Sequence, residues 1–395
     1  MQITGTAPLP SAARERQWSL AAAIASVTVF GLSIGQGSPL MSLLLESRGS
    51  DATLNGLNAG ASFAGVIVGP LLAPICVRLL GVRNFLLLCF GADIALFTAM
   101  KPFHSVPDWF ALRLLMGLIG SSIFTSTEAW INQLAGDVGR GRILGIYAAA
   151  LAAGFGIGPL VLSLTGIQGW PPFLANAAIT ALAALPLLGV GETSRSFGRE
   201  RGASPLTMFR RAPLILGAVT IFAMYEAAMM TLLPIWGVWI GLDDRLAAAT
   251  LSAVFFGSIV LQVLIGWLSD RFSRIATLRL CAAVGLLGAL ALASVDASLP
   301  MLLGLLFVWG GIASGIYPVA LSMAGDRFRG TELVTVNAAM IIAYGLGALV
   351  GPPLGGVAMD VWNARGLFWL FALLFAGLLL ATRFTAGRRP PPDSG

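Results

Sequence analysis

Histidine occurs once in the 395 residues, at His104, and cysteine three times, at Cys76, Cys89 and Cys281. A zinc hydrolase of the H-E-x-x-H kind needs two histidines on one helix face, and a serine nucleophile needs an adjacent base. One histidine in an expected outer loop supplies neither. Three cysteines scattered in or beside apolar runs make no disulfide framework and no metal-ligand spacing, and they read as small buried side chains. No G-x-x-x-x-G-K-[ST] phosphate loop occurs, and no segment between apolar runs is long enough for a nucleotide-binding domain, which argues against a primary pump. Charge is scarce too. Only 11% of residues are charged, against about 25% in soluble domains. No enzymatic activity, metal or cofactor is expected.

Apolar length is what the chain has in abundance. Hydrophobic residues make up 57% of it. They fall in runs of roughly 20 residues separated by short basic loops, the length a helix needs to cross about 30 Å of hydrocarbon. The runs are too long for strands and lack alternation of period two. Twelve spans are expected, at 18–45, 53–77, 84–100, 108–134, 143–165, 172–190, 213–241, 246–269, 275–294, 299–324, 332–358 and 365–384. The first follows Arg14 and Arg16 and exceeds the roughly 7–15 residues of a signal h-region, so it reads as retained.

The net charge of +6 is a matter of topology rather than of nucleic acid, because the basic residues lie in loops between spans. With both ends placed in the cytoplasm, the outer side holds only Arg48, Lys101, Arg245 and, at a span end, Arg365; Arg113 counts as within a span, and Arg279 and Arg383 lie near the cytoplasmic ends of theirs. The other basic residues face inside, as the positive-inside rule requires. An error of one span would invert every later loop and erase the bias. The expected organisation is a cytoplasmic segment 1–17, a first six-helix bundle 18–190, a cytoplasmic loop 191–212, a second bundle 213–384 and a disordered tail 385–395.

The halves echo each other. Gly136-Asp137-Val138-Gly139-Arg140-Gly141 after the fourth span and Gly325-Asp326-Arg327-Phe328-Arg329-Gly330 after the tenth both fit G-D-x-x-R-G. The next spans carry Gly154, Gly158 and Pro159 in one half and Gly351 and Pro352 in the other. Glycine permits close helix approach and proline bends a helix, so these read first as packing devices. Repeated bundles suit a carrier that rocks about a site near the midplane.

These motifs resemble those of the major facilitator superfamily over nearly the whole chain. Gly266-Trp267-Leu268-Ser269-Asp270-Arg271-Phe272-Ser273-Arg274 is similar to the family's G-x-x-x-D-R-x-G-R loop, with Ser273 in place of glycine. The corresponding first-half loop has Arg78 where the family has an acid. Arg113-Leu114-Leu115-Met116-Gly117 resembles the R-x-x-x-G element of proton-coupled members, and Gly154 to Pro159 the G-x-x-x-G-P element associated with antiporters. "TEAWIN" and "GRGRILGIY" resemble one subgroup of these proteins. The resemblance implies an all-α membrane protein of twelve transmembrane helices in two pseudo-symmetric six-helix bundles, acting as a drug/metabolite:proton antiporter.

A charge at the bilayer centre costs about 2.5–3.5 kcal/mol on insertion scales, so ionisable residues within spans mark candidate sites. Asp93 and Arg113 lie at depths of about 12 Å and 8 Å on neighbouring spans, and an ion pair between them is expected, or else separate polar neighbours for each. Glu128 shares a helix face with Asn132. It reads as a proton or substrate contact, or as a fixed hydrogen bond. Glu226 lies beside Tyr225 with Trp236 further along. An acid among aromatic and methionine side chains suits a cationic or amphipathic solute. Gln36 reads as cavity lining or as an interhelical hydrogen bond. Asp270, with Arg271 and Arg274, is expected to latch against Arg140 or Arg142 at the start of the fifth span.

The expected function is proton-coupled export of a small organic solute across the inner (cytoplasmic) membrane by a monomer. Partners are then the solute, protons and the lipid bilayer, with no nucleic acid. Uptake symport and a non-transporting sensor are the alternatives.

Overall fold

The computed structural model describes residues 10–103, 105–135, 140–190, 205–294 and 298–385, and among these no residue is in a strand. The helices are α1 (Pro10–Ser47), α2 (Ala52–Ala99), α3 (Val106–Ala135), α4 (Arg140–Thr165), α5 (Pro171–Leu188), α6 (Met208–Arg211), α7 (Pro213–Trp239), α8 (Asp244–Arg271), α9 (Arg274–Ser294), α10 (Leu299–Ala313), α11 (Ile316–Arg327), α12 (Gly330–Trp362) and α13 (Gly366–Thr385). His104, most of the central loop and most of the tail lie outside the described residues.

Ten helical stretches among the described residues are long and apolar enough to cross a membrane. Two, of 48 and 54 residues, are more than twice the roughly 20 residues of a single crossing. Ala52–Ala99 has 48 residues and is interrupted at Gly81, whose φ of 77° and ψ of 157° break the helical run. That backbone conformation is open to glycine and strained for residues with a Cβ. The loop expected after residue 77 is therefore compressed into one glycine break. The second long stretch, Gly330–Arg383, has 54 residues and contains α12 and α13 with a 3-10 turn, Asn363–Arg365, between them.

The chain forms two compact units. The first comprises Met1–Gly37, Gly65–Gly158 and Gln168–Arg199, and the second Ser38–Ala64, Pro159–Ile167 and Glu200–Gly395. Residues 38–64 thus group with the later helices, unlike in the halves drawn along the sequence.

Within the first unit, glycines set the helix contacts. A methyl group at Gly154 of α4 would fall on the Thr28 carbonyl of α1, and one at Gly158 on the backbone of Gly35 and Gln36. One at Gly65 of α2 would strike the Leu114 carbonyl of α3. The same scheme recurs within the second unit. Gly347 and Gly351 of α12 abut the Thr220 and Met224 backbone of α7, and Gly257 of α8 abuts the Phe307 carbonyl of α10. Without side chains between them, backbones approach closely enough for dispersion to replace the missing hydrophobic drive in lipid. Cys76, Cys89 and Cys281 are free thiols, the last two buried.

The second unit has an aromatic centre. Tyr225 is wholly buried, with its ring 5.4 Å from Trp309, 5.1 Å from Phe371 and 5.3 Å from Phe375. Trp236 packs edge-on against Phe368 at 4.9 Å. The carboxyl end of α1 and the start of α2 are also tied into this unit. Ser38 Oγ donates to the Met230 carbonyl at 3.3 Å, and Trp239 Nε1 donates to Glu46 Oε1 at 2.6 Å. Asp360 of α12 accepts the Ala52 and Thr53 backbone N–H groups at 3.0 and 2.8 Å.

Candidate solute site

In the second unit the site is built on α7. Its apolar run makes a helix of 27 residues that starts with Pro213 at its first position, where proline's missing N–H costs nothing. Glu226 lies mid-helix and half-buried. The Tyr344 hydroxyl of α12 donates to Glu226 Oε2 at 2.6 Å. Two features bring α12 near enough for this bond. Gly347 and Gly351 let the backbones meet, and Ala223, Ala227 and Ala348 form a small buried cluster against which Tyr344 and Phe63 pack. Phe222, one turn before Glu226, completes the surroundings. Its ring lies 5.6 Å from Tyr317 and 6.4 Å from Tyr344, and those two tyrosines are 6.3 Å apart.

Tyr225 and Trp236, expected beside the solute, are instead packed in the aromatic centre; Tyr225 points about 100° around the helix from Glu226. Tyr344 is the partner that sequence reading missed. The usable signal was a polar phenol within the apolar "MIIAYGLGALVG" run, just before the glycines that abut α7.

In the first unit Asp93 is buried, and its Oδ2 accepts the Ser33 hydroxyl at 3.1 Å. Asn176 Nδ2 donates to Ser33 Oγ at 3.4 Å, while its own Oδ1 is buried with no hydrogen bond. Arg113 is also buried, and its Nε lacks a hydrogen bond. No ion pair joins Asp93 and Arg113 among the described residues, which corrects the expected pairing. Matching depths were read from sequence, but the direction each side chain takes around its helix was not. Gln36 is buried and donates to the Pro172 carbonyl at 2.8 Å, the interhelical alternative. Glu128 is exposed on α3, and Asn132 bonds its backbone carbonyl at 2.8 Å. The buried side of that turn is closed by a Thr127–Tyr147 hydroxyl contact of 3.2 Å.

Around the α8–α9 loop, Arg274 gathers the charges. Its Nη1 donates to Asp270 Oδ1 at 2.8 Å and to the Ser269 carbonyl at 2.7 Å, and its Nε donates to Asp326 Oδ2 at 3.0 Å. Asp270 is therefore held within its own loop. Arg271 and Arg142 are exposed, and the Arg140 side chain lies outside the described residues.

Ten helical stretches long and apolar enough to cross a membrane, among the described residues, define a multi-pass membrane protein. The Major Facilitator Superfamily pattern matches residues 19–254 and 240–395, and the chain belongs to that family: it is a transporter rather than an enzyme. It is 26% identical over 362 residues to the uncharacterized MFS-type transporter YfkF of Bacillus subtilis (strain 168), covering 90% of this chain and 92% of that one. It is also 26% identical to the uncharacterized MFS-type transporter YcaD of Escherichia coli O45:K1, over 93% and 96% of the two chains. Among solved structures it shares its fold with the nucleoside transporter NupG at a TM-score of 0.79 and 14% identity, covering 95% of this chain and all of that one. The D-xylose-proton symporter matches at 0.70 and 16%, over 96% and 99%.

Proposed function

We propose that the protein is a secondary active transporter that exports a small organic solute across the cytoplasmic membrane in exchange for protons. The observation that carries this reading is the Glu226 carboxylate, half-buried in a membrane-spanning helix and bonded by the Tyr344 hydroxyl at 2.6 Å. Such a group is tolerated where water or solute reaches it. A phenol serves a carboxylate as donor and a carboxylic acid as acceptor, so it supports both proton states of one carrier group.

The chain crosses the membrane twelve times, in two six-helix bundles (18–190 and 213–384), with both termini in the cytoplasm. The Gly81 break and the Asn363–Arg365 turn support this count by dividing the two longest stretches. The matched glycine contacts of the two units support the repeat. Glu128 faces water rather than acyl chains and takes part in proton or solute passage, with Asp93 and Arg113 as further charged groups within the first bundle. Asp270 and Arg274, bonded to each other at 2.8 Å, belong to a cytoplasmic latch. The protein works as a monomer.

The test is flux in proteoliposomes. Solute movement down an imposed proton gradient, with protons moving the opposite way, and its loss in Glu226→Gln are expected. Protons moving with the solute would establish uptake symport, and solute-independent proton movement would leave a sensor.

A further inference from the structure

We infer that Glu226, with the rings of Phe222, Tyr317 and Tyr344, is the receptor for an organic cation carrying a hydrophobic body. This names the solute class and rests on the transport reading above.

Charge comes first. Glu226 has no cationic partner among the described residues, since none of the ion pairs found there includes it. Neither α7 nor α12 contains a lysine or arginine anywhere along its length. On α11 the only one is Arg327, in the last turn. The titratable side chains in the immediate surroundings are phenols: Tyr344 bonded to Glu226, Tyr317 against Tyr344, and Tyr225 next in sequence. Tyr344 engages Oε2, which leaves Oε1 available. A carboxylate inside a membrane-spanning helix that lacks an internal counter-charge accepts either a proton or a cation from outside.

The rings then decide between a bare inorganic ion and an organic one. Phe222, Tyr317 and Tyr344 form a triangle with centroid separations of 5.6, 6.4 and 6.3 Å. That is too close for a closed cage around an ammonium group, but it makes a continuous aromatic wall beside the acid. A cation resting on this wall lies within about 6 Å of ring centroids, the range of cation–π attraction. Phe63, partly buried, packs with Tyr344 on the buried alanine cluster and adds an apolar side chain at the same place. Sodium or potassium would ask for several oxygen ligands, and here there is one carboxylate and a few phenols. An amine or quaternary ammonium with an apolar body uses every group present.

A shape-matched pair of probes separates charge from hydrophobicity: tetraphenylphosphonium and tetraphenylborate, of nearly equal size and opposite charge. Binding to the purified full-length protein is measured by equilibrium dialysis in detergent. Saturable binding of tetraphenylphosphonium but not of tetraphenylborate is expected. Glu226→Gln should weaken it at least tenfold and Phe222→Ala severalfold, while Glu226→Asp keeps most of it. Thermal unfolding of each variant without ligand shows whether it is folded. Equal binding of both probes, equal binding to wild type and a folded Glu226→Gln, or no phosphonium binding overturns the inference. The transport reading is judged separately. Proton-linked flux of a neutral or anionic solute, insensitive to the phosphonium, keeps the transporter and discards the cation receptor. Phosphonium binding through Glu226 with no proton-linked flux does the reverse.

Discussion

Asp360 caps Thr53. The Asp360 Oδ2 oxygen accepts both the backbone N–H of Thr53, at 2.8 Å, and its hydroxyl, at 2.5 Å, while Oδ1 takes the Ala52 N–H at 3.0 Å. The first turn of α2 also receives Asp51 Oδ1 on the Leu54 N–H at 2.7 Å. Two carboxylates therefore serve a helix end whose N–H groups have no partners within the helix. Asp360→Ala is expected to cost about 1 kcal/mol and to speed amide exchange at residues 52–54, with little change elsewhere in α2. Hydrogen exchange read by mass spectrometry checks this; unchanged exchange at those amides would contradict it.

Transport should separate the charge of Glu226 from its hydrogen bond. Glu226→Gln keeps an oxygen for the Tyr344 hydroxyl, so folding is retained while proton-driven flux falls by about a hundredfold or more. Tyr344→Phe keeps the ring and loses one hydrogen bond, worth about 1 kcal/mol, so flux falls only about fivefold. Initial rates in proteoliposomes, set against thermal midpoints, distinguish the two.

Glycine substitutions in one helix pair should give opposite results. A methyl at Gly351 meets the Met224 backbone, with its Cα at 2.6 Å, whereas one at Gly217 meets nothing within 4 Å. Gly351→Ala is expected to destabilise by about 1–3 kcal/mol through overpacking. Gly217→Ala is neutral or gains up to about 1 kcal/mol from helix propensity. Thermal unfolding in one detergent gives the comparison.

Double-mutant cycles in the first unit should separate depth from contact. Asp93 and Ser33 share a hydrogen bond of 3.1 Å, so Asp93→Ala with Ser33→Ala should couple by at least about 0.5 kcal/mol. Asp93→Ala with Arg113→Ala should add within about 0.5 kcal/mol, since no ion pair joins the two. Strong coupling in the second cycle would restore the ion pair.

The sequence showed the membrane class plainly, because hydrophobic length and arginine placement are one-dimensional properties of a chain. The family motifs and the glycine pairs were equally legible: Gly154 and Gly158 face α1, and Gly351 faces α7. Partners across helices were not. Asp93 was matched with Arg113 by depth, yet the structure gives it Ser33. Tyr225 adjoins Glu226 in the sequence, yet neighbouring residues on a helix point in different directions, and it is Tyr344 of α12 that bonds the Glu226 carboxylate. Rotation about the helix axis is fixed by packing, and an apolar run that is hydrophobic nearly all round carries little trace of it.

The grouping of Ser38–Ala64 with the later helices bears on how the protein is made. A growing chain presents these residues to the membrane long before α7 and α12 exist. Gly56 then waits for Pro352, Glu46 for Trp239 and the start of α2 for Asp360. Biosynthesis therefore cannot finish the early segment first and the late one afterwards. The amino-terminal portion stays incomplete until the ribosome has delivered nearly the whole polypeptide, and a nascent chain truncated before α12 should be a preferred target for membrane quality-control proteases.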